Sequence, residues 1–281
     1  MRTLVAGDIH AKPEVLCEID ASAKAVGAER VVCLGDYLDP VWPPFEDERV
    51  NLERFMQVIA WAERRGDVTL LLGNHEAGYI DMAREADRKP ERRDEILMGP
   101  FANAPAVRAE VEARRGLFAW ATAAEGWLLS HAGLTCANAR AMDLAPDLDA
   151  ATLAPMLDAA GWADWVEEPL CSHGGAEELI DDPYPVNQAV GHTAVETCRL
   201  YRGGSRIADE PHTPPSRHTA GEPCVRLAFC DTMSMCDSEG RRTGDSSFLL
   251  LDGGEVQVVR GGQAASPVFL DTWTEPEWPG L

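Results

Sequence analysis

Five short segments of this 281-residue chain set oxygen and imidazole side chains beside small or glycine residues: Gly7-Asp8-Ile9-His10, Gly35-Asp36-Tyr37-Leu38-Asp39, Gly73-Asn74-His75-Glu76, Ser130-His131-Ala132-Gly133 and Gly191-His192-Thr193. Carboxylates, a carboxamide and imidazoles with no thiolate among them suit borderline divalent ions such as manganese, iron, zinc or nickel. A structural zinc site would draw on cysteine instead. Hydrolysis at a metal site is the chemistry such donors support. A pair of bound dications would bring about +4 against the −2 of Asp8 and Asp36, leaving a positive pocket that a phosphate would seek.

Stepping outward from these residues, each segment follows a short apolar run, at residues 3–6, 30–34, 68–72, 127–130 and 188–190. Rich in Val and Leu and ending at polar or Gly-containing clusters, these runs read as buried strands. Helical patterns separate the first three: residues 13–26, with Pro13 near the first turn, and 46–65, where Phe55, Ile59 and Ala62 share one face. Strand alternating with helix implies parallel pairing through right-handed crossovers. Ligands of such sheets bind beyond the carboxyl ends of the strands, so the five tips are expected to converge on one crevice.

The chain reads as a single domain, 1–281. Residues 81–125, rich in Ala, Glu and Arg and broken at Pro90, Pro100 and Pro105, read as a helical insertion, and 147–168 as a further helical stretch. Residues 203–223 carry the strongest Gly/Pro signal and are expected to form an exposed loop or flap. Antiparallel strands are expected at 225–230, 247–251 and 255–259, the last two joined by the hairpin sequence Asp252-Gly253-Gly254.

A formal charge of −22, from 47 acidic against 25 basic residues, repels polyanions and makes long nucleic acid a poor partner. The eight cysteines contain no Cys-x-x-Cys pair and read as reduced thiols. Asp8 arrives too early for the apolar stretch of a signal peptide, and no later run is long enough to span a bilayer. A cytoplasmic protein without a membrane partner is expected.

In this order the motifs resemble those of the calcineurin-like metallophosphoesterases, most closely the phosphoprotein-phosphatase branch that includes bacteriophage Ser/Thr phosphatases and bacterial symmetrical dinucleoside-tetraphosphate hydrolases. The resemblance runs from Leu4 to Thr193 and, more loosely, through Phe229-Cys230-Asp231-Thr232 to Val259; Gly-Asn-His-Glu is its most specific part. It implies an α/β fold of two mixed β-sheets packed as a sandwich and flanked by helices. It also implies two divalent ions, manganese first among them. Asp8 and His10 would hold the first ion, Asp36 would bridge both, and Asn74, His131 and His192 would complete the second.

A water shared by two cations loses a proton near neutral pH, and the hydroxide can attack phosphorus in line. His75 resembles the family's general acid, with Asp39 to orient it. Asp231 is expected to support a ligand histidine. Other branches end in Gly-His-x-His, where this chain has Ala194.

The match breaks where the resembled phosphatases grip phosphate with arginine. After Asp39 the chain continues Pro40-Val41-Trp42-Pro43-Pro44, and the stretch Trp162-Ala163-Asp164-Trp165-Val166-Glu167-Glu168-Pro169 carries only acids. Loss of both guanidinium forks should weaken monoester binding or shift the preferred substrate. Trp42, His173, Arg199 and Arg202 are the candidate substitutes for substrate contact. The expected activity is hydrolysis of a phosphomonoester on a small molecule or a phosphoprotein. A phosphodiesterase or dinucleoside polyphosphate hydrolase is the first alternative, and a degenerate metal-binding scaffold the second.

Overall fold

The computed structural model describes residues 1–40, 48–163, 176–203, 225–234, 242–270 and 273. Trp42, His173 and residues 204–223 of the expected flap lie outside these.

The chain opens with β1 (Thr3–Ala6), α1 (Val15–Val26), β2 (Arg30–Cys33), α2 (Glu48–Arg65), β3 (Val68–Leu71) and α3 (Asn74–Arg88). As the alternation predicts, β1, β2 and β3 pair in parallel. The short α4 (Arg93–Ile96) and α5 (Ala104–Ala113) lead to β4 (Phe118–Ala119), β5 (Ala121–Ala124) and β6 (Trp127–Ser130). Next come α6 (Cys136–Ala141), α7 (Ala150–Ala163), α8 (Ala176–Asp181), β7 (Asn187–Ala194) and β8 (Arg199–Gly203). The described chain finishes with β9 (Val225–Asp231), β10 (Phe248–Asp252), β11 (Glu255–Arg260), β12 (Gln263–Ala265) and β13 (Phe269–Leu270).

Two mixed sheets result, ordered β12-β11-β10-β1-β2-β3-β4 and β13-β8-β9-β7-β6-β5. Side chains alternate across a strand, so each strand of the first sheet serves two cores. Val5, Val32 and Leu71 face inward to meet Leu129, Ala189 and Ala228 of the second sheet. Their neighbours Leu4, Val31 and Leu70 face outward onto Ile19 of α1 and Phe55 of α2. On the far side, Leu227 and Phe229 pack with Leu179 of α8. Burial on both faces explains why these strands are short continuous apolar runs rather than alternating ones.

Two of the departures from the sequence-based expectation lie close to the site. Within 81–125 the helices end at Ala113, and Ala121-Thr122-Ala123-Ala124 is a strand paired antiparallel with β6. Alanine is the strongest helix former, but propensity is a small term that pairing with a neighbouring strand overrides. Strand β7 runs beyond residue 190 through His192 to Ala194, with a register break between Val190 and Ala194 against β9. His192 therefore sits at a bulge within a strand rather than after one. The expected hairpin is present: Gly253 and Gly254 take φ of 57° and 85° between β10 and β11. Among the described residues no helix is long and apolar enough to cross a membrane.

Candidate metal centre

The loops after β1 and β2 are laced together by backbone bonds. The N–H groups of Ile9 and His10 donate to the Asp36 carbonyl at 3.0 and 2.7 Å, and that of Ala11 to the Tyr37 carbonyl at 2.9 Å. His10, Asp36, Asp39 and His192 take left-handed φ of 44°, 51°, 59° and 58°. That conformation costs a non-glycine residue about 1–3 kcal/mol and collects at functional sites, where it turns a side chain back on the chain path. Glycine does the complementary work of close approach. A Cβ on Gly191 would lie 2.0 Å from Asp8 Oδ1, and one on Gly73 would lie 2.1 Å from Asp36 Oδ1.

These loops bring Asp8, His10, Asp36, Asn74, His131 and His192 together. Asp36 Oδ2 lies centrally, 3.7 Å from His10 Nε2 and 3.5 Å from His131 Nε2. Asn74 Oδ1 is 2.9 Å from both His131 Nε2 and His192 Nδ1, and those two nitrogens are 3.2 Å apart. His10 Nδ1 donates to the Asp39 carbonyl and His131 Nδ1 to the Leu34 carbonyl, each at 2.9 Å. A carbonyl only accepts, so these bonds fix the proton on Nδ1 and turn each Nε2 lone pair into the cluster.

Taken without a cation the arrangement is unfavourable. In the neutral ring, the His131 Nε2 lone pair faces the Asn74 carboxamide oxygen with no proton between them. Asp8 Oδ1 is buried and has no hydrogen-bond partner among the described residues. Burial, then the charges of Asp231 and Asp36, pushes the Asp8 carboxyl well above the usual range. Burial brings His10 down to about 4; burial and then His131 do the same for His192. Neutral imidazoles and crowded carboxylates are what a divalent cation binds and what it relieves. The donors therefore fit the metal ions that the resemblance implies.

His75 stands at the rim, its side chain about a third exposed at 31%, with Nε2 3.8 Å from Asp36 Oδ2. Its Nδ1 lies 2.8 Å from Asp39 Oδ2. Burial works to lower its pKa, but the Asp39 hydrogen bond and the charges of Asp36 and Asp39 outweigh it, raising the imidazole to about 9. Asp39 in turn is lowered: burial opposes this, but hydrogen bonds from His75, Tyr79 and Asn51 prevail. Tyr79 Oη and Asn51 Nδ2 donate to its Oδ1 at 2.8 and 2.7 Å.

Sequence reasoning gave no role to Asn51 and Tyr79, which fix Asp39, nor to Glu76. The fully buried Glu76 carboxylate accepts backbone N–H bonds from Tyr37 and Leu38 on Oε1, and from Asp36 and Gly73 on Oε2, at 2.8 to 3.1 Å. It thereby frames the loop that carries Asp36. A carboxylate at the third position of a helix, one turn after a glycine entry, was the available signal.

Asp231 differs from its expected part. The hydrogen bonds to its Oδ1 come from Ser234 N at 3.1 Å and Ser234 Oγ at 2.6 Å, not from a ligand histidine. Its carboxylate instead joins Asp8 and His10, with donor atoms within 4.8 Å of one another. The arginines proposed for substrate make contacts of their own: Arg199 pairs with Glu196 at 3.5 Å. Arg202 lies over the Phe269 ring at 5.5 Å, on the strand next to the edge.

Comparison with known proteins gives a matching family model, that of the calcineurin-like phosphoesterases, over residues 1–216. No curated protein matches the sequence. Among solved structures, one of a candidate diadenosine tetraphosphatase aligns over 92% of this chain and 93% of its own, at 18% identity and a TM-score of 0.41.

Proposed function

The chain belongs to the calcineurin-like phosphoesterase family and is a hydrolase of phosphate esters; from that premise we propose that it cleaves a phosphomonoester, carried by a small molecule or a phosphoprotein, at a pair of manganese ions. Asp8 and His10 would hold one ion, Asn74, His131 and His192 the other, and Asp36 would serve both. The observation that supports this most is the central place of Asp36 Oδ2, 3.7 Å from His10 Nε2 on one side and 3.5 Å from His131 Nε2 on the other.

When bound, the ions supply charge for the phosphoryl oxygens and lower the pKa of a water. The remaining work falls to the protein. Asp36 is held in place by the His75 backbone N–H, which donates to its Oδ1 at 3.1 Å from the N-terminus of α3. His75 keeps a proton on Nε2 at the rim of the cluster and gives it to the departing oxygen. Asp39 fixes the ring by Nδ1 and favours its charged form. The same residue's carbonyl orients His10, so Asp39 sets the position of the acid relative to the ions.

A diester or dinucleoside polyphosphate is the second reading. Its support is Pro40, which follows Asp39 where the resembled phosphatases carry arginine, together with Arg140. That residue, the only arginine between His131 and His192, is turned to Asp182 at 3.7 Å.

Manganese-loaded protein should hydrolyse p-nitrophenyl phosphate faster than bis-p-nitrophenyl phosphate, and Asp36→Asn should abolish both activities. The reverse ratio would favour the diester reading. Equal inactivity of wild type and variant on both substrates would remove the enzymatic one.

A further inference from the structure

Strand β1 ends against β9 of the opposite sheet with no room for a side chain between them: a Cβ on Gly7 would lie 2.2 Å from the Cys230 carbonyl oxygen and 2.7 Å from Asp231 Cα. This contact sets Asp8, the next residue after Gly7, beside Asp231, the last residue of β9. Both are buried, at 0% and 1% exposure. In the parallel pairing of β7 with β9, Asp231 is also the register partner of Ala194, just past the bulge that carries His192.

A turn-forming role accounts for part of Asp231, since Oδ1 accepts from Ser234 three residues on. It does not account for a buried carboxylate placed next to another whose Oδ1 has no partner among the described residues. Nor does it account for the His10 nitrogen that completes the group, with all three donors within 4.8 Å of one another.

We propose that Asp231 is a further protein ligand of the metal centre, binding the same ion as Asp8 and His10. This rests on the metal reading above and goes beyond it in two respects. With Asp231 beside Asp8 and His10, and Asp36 serving both positions, the first ion would draw on three carboxylates and one imidazole. The second would draw on one carboxylate, one carboxamide and two imidazoles. An oxygen-rich position selects harder ions such as manganese or magnesium, and a nitrogen-rich one suits zinc or iron. The two positions are therefore chemically distinct, and the centre accepts a mixed pair.

Calorimetric titration of the chelator-stripped protein with manganese tests the assignment. Wild type should bind two equivalents. Asp231→Asn, which keeps the shape and an oxygen for Ser234, should lose one of them, or weaken it beyond the ~10–100-fold typical of an outer-shell partner. Asp8→Asn should behave alike, and wild-type far-UV circular dichroism should show both variants folded. Two tight equivalents in Asp231→Asn, alongside a loss in Asp8→Asn, would overturn the proposal. No binding by wild type would instead refute the metal centre as a whole.

If Asp231→Asn does not fold, Asp231→His loaded with cobalt(II) decides. Its visible absorption bands must differ from those of cobalt-loaded wild type, and identical bands would exclude residue 231 as a ligand.

Discussion

His75 and Glu76 are adjacent in sequence but have opposite duties, one exposed to a leaving group and the other sealed under a loop. If His75 delivers a proton, its value depends on how badly the leaving oxygen needs one. His75→Asn should slow hydrolysis of an alkyl phosphate by about 10²–10⁴-fold. It should slow p-nitrophenyl phosphate much less, because that phenolate departs unaided; steady-state kinetics on the two substrates check this. The imidazole is raised from 6.5 to about 9, so the pairing with Asp39 contributes fully below pH 6.5 and fades as pH rises through 9. Asp39→Asn removes that support and should move the alkaline fall in the alkyl phosphate rate to lower pH. Glu76→Gln puts an NH₂ where only lone pairs serve and strands backbone donors, an expected loss of about 1–3 kcal/mol in urea unfolding. Asp8, Asp36 and Asn74 were each weak signals alone and became legible as an ordered set, each beside a glycine at a strand end. Glu76 was not, since only Gly73 among its partners is close in sequence and the other three are amides some forty residues earlier in the chain, met only after folding.

Elements decide which changes the site can absorb. At Gly7 an added methyl meets backbone on the opposite strand; at Gly191 it meets the Asp8 side chain. Backbone cannot yield without moving a strand, so Gly7→Ala should lower stability by about 1–3 kcal/mol or more. A side chain can rotate away, so Gly191→Ala should keep the fold and lose manganese affinity; denaturation and calorimetry on the two variants separate these outcomes. The strands that flank these glycines were readable from sequence, because double-sided burial leaves continuous Val and Leu runs. Strands β4, β5, β8, β12 and β13 were not: they lack a continuous run of Val and Leu and exist through their partners. The bulge at His192 was hidden for the same reason, since a register break is a relation between two strands.

On the scale of the molecule, an ion that binds only the folded state adds stability by mass action, about 2.7 kcal/mol at a hundredfold excess over its dissociation constant. Chelation should therefore lower the melting temperature, and manganese should restore it in a concentration-dependent way by calorimetry. Asp8, His10, Asp36 and Asn74 come from loops of the first sheet, whereas His131, His192 and Asp231 come from the second. The centre thus straddles the plane along which the two sheets pack. A shift of one ångström across that plane changes donor separations on one side relative to the other, so ion affinity acts as an alignment gauge for the sandwich. Leu251→Ala, on a strand that supplies no donor but lodged between the sheets, should degrade manganese affinity at temperatures where the chain is still fully folded.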